Sequence, residues 1–152
     1  MNKSYVEQKI DVQLLDLDSN NPRFLDFFDN NSTEDDIIQH LLENEKAIDI
    51  VEEINKVQDF YTDSQLWVLQ KNGRYIVKEG NRRLASVKAL ANPLKYLKNK
   101  YPKIKINELP CLVYNDEKTL DERLIRRHTQ GEIEKWSRLA LTSTQKTPLF
   151  KT

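Results

Sequence analysis

Residues 65 to 78 constrain the fold more than any other segment. Gln65-Leu66-Trp67-Val68-Leu69-Gln70 and Tyr75-Ile76-Val77-Lys78 are aromatic and β-branched runs, joined by Lys71-Asn72-Gly73-Arg74. Asn-Gly accepts positive φ at both central positions of a type I′ turn, so the spacing predicts a β-hairpin. After Gly80 the period changes. Leu84, Val87 and Ala91, with Ala85, Lys88 and Ala89 between them, follow helical spacing until Asn92-Pro93 stops it. A hairpin feeding straight into a helix requires a mixed fold.

The remaining segments fill in that architecture. Residues 10 to 17 alternate from Ile10-Asp11-Val12-Gln13-Leu14 and thicken at Leu15 and Leu17, which predicts one short half-buried strand broken by Asp18-Ser19-Asn20-Asn21-Pro22. Ser32-Thr33-Glu34-Asp35 supplies N-caps and first-turn carboxylates for a helix with Ile37, Ile38, Leu41 and Leu42 on one stripe. A second stripe, Ile48, Val51 and Ile54 to Val57, makes residues 33 to 58 two short acidic helices or one bent one. Residues 109 to 114 read as a strand, 120 to 127 as a helix, and 132 to 141 as a further helix anchored by Trp136, Leu139 and Ala140. The expectation is a single α+β domain over residues 1–142, a small mixed β-sheet packed with several helices, followed by a flexible tail or linker at 143–152.

At 152 residues the chain is long enough to bury roughly 68 to 70% of its unfolded surface without disulfides. Cys111, the single cysteine, lies in the apolar run Leu109-Pro110-Cys111-Leu112-Val113 and reads as a buried thiol in a reducing compartment rather than a nucleophile. No window approaches signal-peptide or membrane-span length, so a cytoplasmic protein with no membrane partner is expected. The net charge is zero but polarised. Residues 1 to 60 carry 5 Lys+Arg and 15 Asp+Glu; the remaining residues carry 19 and 9. Either the basic half presents a face to phosphates, or the two halves interdigitate and neutralise each other.

Lys78-Glu79-Gly80-Asn81-Arg82-Arg83 carries the chemistry. A glycine between a strand and a helix is a common anion seat, because first-turn N–H groups lack intrahelical acceptors and the dipole is positive there. Gly80 allows positive φ and close approach of a phosphate, and Asn81 is suited to capping the helix. Arg82 and Arg83 occupy a first turn where electrostatics ordinarily favours acids, and a bound anion explains the inversion, since arginine offers planar bidentate donors. The structural alternative pairs one arginine with Glu79 or the acidic half and leaves the other solvated.

The string from Tyr75 to Leu90, centred on Gly80-Asn81-Arg82-Arg83, resembles the second box of ParB N-terminal domains, whose core is G-E-R-R before an Ala-rich helix. Leu14 to Phe24, with Asn21-Pro22-Arg23, is similar to the family's first box, and Arg126-Arg127-His128-Thr129-Gln130-Gly131 falls where the third, E-N-x-Q-R, leads into a helix. These matches run in the family's order over residues 10 to 140. The resemblance to the ParB/sulfiredoxin-like superfamily implies a phosphate at the Gly80–Arg83 turn. Its members include magnesium-dependent CTP-binding DNA clamps, adenine-nucleotide-using sulfiredoxins and a free serine kinase, and proteins described as nucleases. It further implies that Asn21 and Arg23 line the pocket and that His128 and Gln130 close it, with Arg127 and Gln130 among the phosphate-binding residues. Two departures stand out: Asn81 replaces the acid of the core, and Arg127 and His128 replace the Glu and Asn of the third box. Carboxylates that serve magnesium and hydrolysis in the family are thus missing here, with Glu79 the nearest one. The sulfiredoxin cysteine is missing as well.

The resulting expectation is a nucleotide-binding module in a DNA-associated process, using a nucleoside triphosphate with Mg2+, with Glu79 and His128 as catalytic candidates and a homodimer among the expected assemblies. The competing readings are a DNA-binding protein or nuclease holding a backbone on the same arginines, and a non-catalytic interaction module. His128 reads alternatively as a helix-end dipole partner, His40 as a solvated residue and Trp136 as core. Lys95 to Lys105, interleaved with Tyr96 and Tyr101, reads as a non-specific nucleic-acid contact or as a solvated segment. Paired metal-ligand motifs, GxGxxG and GxxxxGK are absent from the sequence, which removes metallohydrolase, Rossmann and P-loop readings.

Overall fold

The computed structural model describes residues 5–19, 32–59, 65–127 and 129. The chain divides into two units, Met1–Asp116 and Glu117–Thr152. The first is an α+β unit with strands β1 (Tyr5–Asp11), β2 (Leu15–Leu17), β3 (Leu66–Lys71), β4 (Arg74–Glu79) and β5 (Glu108–Tyr114). Its helices are α1 (Glu34–Asn44), α2 (Ala47–Val57), α3 (Asn81–Ala91) and the single turn α4 (Pro93–Tyr96), with a 3-10 turn at Val12–Leu14. The strands form one mixed sheet in the order β1-β5-β3-β4-β2.

The hairpin forms as its sequence requires. Asn72 and Gly73 take φ of 54° and 79°, and β3 pairs antiparallel with β4 from Lys71↔Arg74 to Val68↔Val77. Further along the register shifts: one step of β3, Trp67 to Val68, spans two of β4, Glu79 to Val77. Such an irregularity re-aims side chains at a strand end, and here it lies immediately before Gly80.

Residues 10 to 17 do not form one strand. The Asp11 side chain accepts the Gln13 N–H at 2.8 Å, and Val12 donates to the Asn107 carbonyl at 2.9 Å, so the chain turns at Val12–Leu14 and leaves Leu14 exposed. Its two halves go to opposite edges, β1 antiparallel to β5 and β2 parallel to β4. The doubled leucine at 14 and 15, which breaks the alternation, marks the place. β4 is consequently one strand in from the edge, with β2 outside it.

Helices α1 and α2 are separate, divided by Lys46 in the left-handed region at φ 61°. A capping box starts α1: Thr33 accepts the Asp36 N–H while the Asp36 carboxylate accepts the Thr33 N–H. Helix α3 packs against α1 and α2 and is buried on most of its circumference, through Leu84, Ala85, Ser86, Val87, Ala89 and Leu90. Small residues permit this close approach. The Ser86 hydroxyl lies 2.7 Å from the Arg82 carbonyl and 3.0 Å from that of Ala47. Leu66, Val68, Val77, Cys111 and Val113 of the sheet join Ile38, Leu41, Val51 and Ile54 in one core.

The charge polarity resolves into contacts within this unit. Arg74–Asp16 at 2.8 Å, Lys78–Asp18 at 3.8 Å, Lys88–Glu34 at 2.5 Å and Lys95–Asp35 at 2.7 Å each join the acidic first sixty residues to the basic remainder. Tyr96 also donates to Asp35, and Tyr101 to Glu52 at 3.2 Å. In the described residues the two halves interdigitate, as the second of the two charge readings has it. Of the second unit, residues 117–127 are helical, beginning three residues earlier than the sequence pattern indicates, and Leu120 is buried. The expected boundary at 142 and the helix over 132 to 141 lie outside the described residues. Among the described residues no helix is long and apolar enough to cross a membrane.

Candidate functional site

Gly80 ends β4 and N-caps α3 at φ 106° and ψ 21°. An L side chain is strained at that φ, and a Cβ built there would fall 2.3 Å from Leu66 Cδ2 and 2.9 Å from Arg83 Nη2. Glycine is therefore required twice over, by conformation and by space. The Leu84 N–H donates to the Gly80 carbonyl at 3.0 Å and begins the helix. Gly80 brings no side chain with which to cap this end, and the first turn of α3 holds no acid; Arg82 and Arg83 stand there instead. The end of β4 lies beside that of the parallel strand β2, in register at Leu17↔Val77, so two strand carboxyl ends and a helix N-terminus converge. That is a favoured place for ligands in open α/β sheets.

Asn81 is not the cap. It is the first helical residue, 5% exposed, and its side chain is a brace: Oδ1 accepts the Asp18 N–H at 3.0 Å and Nδ2 donates to the Val77 carbonyl at 2.9 Å. The neighbours dictate this orientation, because a backbone N–H needs an oxygen and a carbonyl needs a donor. A carboxylate would face the Val77 carbonyl without a proton to offer, so this position favours an amide. With its amide occupied on both sides, Asn81 contributes its backbone to the turn rather than its side chain.

The two arginines diverge. Arg82 is exposed and its Nη1 donates to the Glu45 carbonyl at 3.3 Å; Glu45 is the C-cap of α1, where a cation complements the negative end of the dipole. Arg83 is half-buried and places its guanidinium over the Cα of Gly80. It also faces the sheet closely enough to oppose the effect of burial, which pushes the Cys111 thiol up to about 12. Cys111 is fully buried, in keeping with a structural thiol.

Glu79, the nearest carboxylate in sequence, is half-buried at the end of β4. Arg127 is exposed on the helical residues 117–127 of the second unit. Asn21, Arg23, His128, Gln130 and Trp136 lie outside the described residues. His40 is half-buried rather than solvated, with the Asn44 amide 3.3 Å from its Nδ1. Tyr96 and Tyr101 are tied to carboxylates, so in the Lys95 to Lys105 segment the aromatic rings serve internal contacts.

A separate open cleft of about 460 Å³ is lined by Asp16, Ser19, Ser32, Glu34, Arg74 and Lys88, among others, and includes none of residues 80 to 83. Its charges are matched: Arg74 holds Asp16 through Nε at 2.9 Å and Nη2 at 2.8 Å, and Lys88 holds Glu34. Among the described residues no group of three or more His, Cys, Asp or Glu side chains could hold a metal ion. Asp18, Glu45 and Ser86 are participants in the turn's framework that sequence reasoning did not single out. Each acts through contacts 37 to 63 residues away, and no local pattern announces them. Comparison of the chain with family models and with curated proteins gives no match.

Proposed function

We propose that this chain binds the phosphate of a nucleotide at the Gly80–Arg83 turn, as a ParB/sulfiredoxin-like module in a DNA-associated process. The observation that carries this reading is the acid-free N-terminus of α3, opened by Gly80 at φ 106° and furnished with Arg82 and Arg83. Backbone N–H groups there supply oriented donors, and the arginines supply charge. The braced Asn81 keeps the turn rigid, so little ordering entropy is lost on binding. A free, buried Cys111 suits a reducing, cytoplasmic setting.

These groups supply binding in the first place. With an amide at position 81, magnesium would be held largely by the triphosphate's own oxygens, with Glu79 as the nearest candidate carboxylate. A nucleic-acid backbone on the same arginines is the second reading, and the steep salt dependence of multiple phosphate contacts distinguishes it from a single nucleotide. Amide chemical-shift mapping tests the site: added nucleoside triphosphate should move the Gly80, Arg82 and Arg83 resonances first. Shifts confined to the cleft at Arg74 and Lys88, or none at all, would contradict it.

A further inference from the structure

Among the described residues strand β1 is an edge of the sheet, seven residues long, and its register with β5 runs without a shift from Tyr5↔Tyr114 to Asp11↔Glu108. Which backbone groups face outward follows from two observations. Val12, which continues that register, donates to the Asn107 carbonyl, so its N–H points toward β5, and those of Ile10, Gln8 and Val6 do the same by alternation. Pro110, opposite Lys9, has no N–H, which fits Lys9↔Pro110 as a pair that exchanges no ladder bonds. Tyr5, Glu7, Lys9 and Asp11 therefore turn their N–H and C=O groups away from the sheet.

We infer that this edge pairs antiparallel with β1 of a second copy of the chain, about a two-fold axis at Gln8, to give a continuous ten-stranded sheet. A symmetric pair must match outward-facing residues with one another, which restricts the axis to positions 7, 8 or 9 near the strand centre. An axis at 7 opposes Glu7 to Glu7, and one at 9 opposes Lys9 to Lys9; both are repulsive. With the axis at Gln8, Glu7 faces Lys9 of the second copy and Lys9 faces its Glu7, in two attractive hydrogen-bonded pairs. On the core-side face Val6, 60% exposed, comes opposite Ile10 of the second copy and is covered. Glu7, Gln8 and Lys9 are all exposed and have no role inside the protomer fold described above. A lone lysine on an edge strand guards against unwanted pairing. The alternation of glutamate and lysine about a central glutamine instead selects one partner, its own copy, in one register.

The pairing does not depend on the phosphate-turn reading, and sedimentation velocity on the full chain tests it by charge exchange. The wild type should sediment as a dimer, while Lys9→Glu and Glu7→Lys, each setting like charges opposite one another at both pairs, should weaken self-association about tenfold or more. An equimolar mixture of the two variants restores Glu–Lys opposition at both pairs and should form a one-to-one heterodimer as tight as the wild type. Both positions are exposed, so unchanged circular dichroism is expected for each variant. A wild type that stays monomeric, variants that dimerise as tightly as it does, or a mixture that fails to associate would each overturn the proposal.

Discussion

The side chain of Asn81 links the ends of two parallel strands, accepting the Asp18 N–H beyond β2 and donating to the Val77 carbonyl of β4. This contact spans 63 residues and fixes α3 relative to the sheet at the point where the turn begins. Asn81→Ala leaves both backbone groups without that partner in a buried site and should cost about 2 to 4 kcal/mol. Asn81→Asp keeps the acceptor, loses the donor and sets a second carboxylate beside buried Asp18, so it should destabilise as well. Urea midpoints check both; a loss below about 0.5 kcal/mol for Asn81→Ala would show that the brace is dispensable.

Gly80 and Gly73 both have positive φ but differ in surroundings. At Gly73 a Cβ meets nothing within 4 Å, whereas at Gly80 it meets Leu66 and Arg83. Gly73→Ala should cost only the conformational penalty, about 1 kcal/mol, and Gly80→Ala should cost at least about 2 kcal/mol because overpacking adds to it. Equal costs in thermal or denaturant unfolding would mean that the close contact at Gly80 is relieved without loss.

Burial pushes the Cys111 thiol from 9.0 up to about 12. At pH 8 a shift of that size lowers the thiolate fraction about a thousandfold relative to the unfolded chain. Labelling by a thiol reagent should accordingly be slow in the native protein, accelerate with the unfolding transition, and follow the same urea midpoint as circular dichroism. Rapid native labelling would contradict the packing around β5.

Tyr96 and Asp35 give the stability profile two limbs. Burial first, and then the hydrogen bond to Asp35, raises Tyr96 from 10.0 to about 12. A raised folded value means that the contribution is complete below pH 10 and disappears as the pH climbs toward 12. Tyr96→Phe should flatten that limb relative to wild type; Cys111, which titrates in the same range, is present in both. The Lys95 ammonium and the Tyr96 hydroxyl hold the Asp35 carboxyl below its ordinary value. Its contribution is complete above about pH 4 and is lost as the pH falls through the lowered folded value. Because this pair is largely exposed, solvent screening keeps that acid limb shallow. Urea midpoints from pH 2 to 12 for wild type, Tyr96→Phe and Asp35→Asn measure both.

Much of the framework was legible because it is local. Asn72-Gly73 states its turn, Thr33 followed by Glu34 and Asp35 states a helix start, and Gly80 marks the strand-to-helix junction. The break at Val12–Leu14 was less legible, since the alternation runs on to Leu14, the doubled leucine is a weak local mark, and the acceptor at Asn107 that holds the turn is distant in sequence. Asn81 illustrates the limit most clearly. From sequence an Asn beside Gly at a helix start reads as a cap or a ligand, yet its polar atoms are committed to Asp18 and Val77. The directions of Arg82 and Arg83 were likewise invisible, being set by where α1 ends and by the space above Gly80. Zero net charge concealed ion pairs that cross between the halves of the sequence, because pairing is a property of topology and not of composition.

Phosphate binding at the turn is tested most directly by titration calorimetry with CTP, ATP, GTP and ADP, with and without magnesium, on wild type and Arg82→Ala. Arg82 is exposed and its contact to the Glu45 carbonyl is long, so its removal should leave the urea midpoint within about 0.5 kcal/mol. Binding of at least one triphosphate by wild type and its loss in Arg82→Ala is the expected result. Absence of binding across the panel, or equal affinity in the two proteins, would contradict the assignment of the Gly80–Arg83 turn as a nucleotide phosphate site.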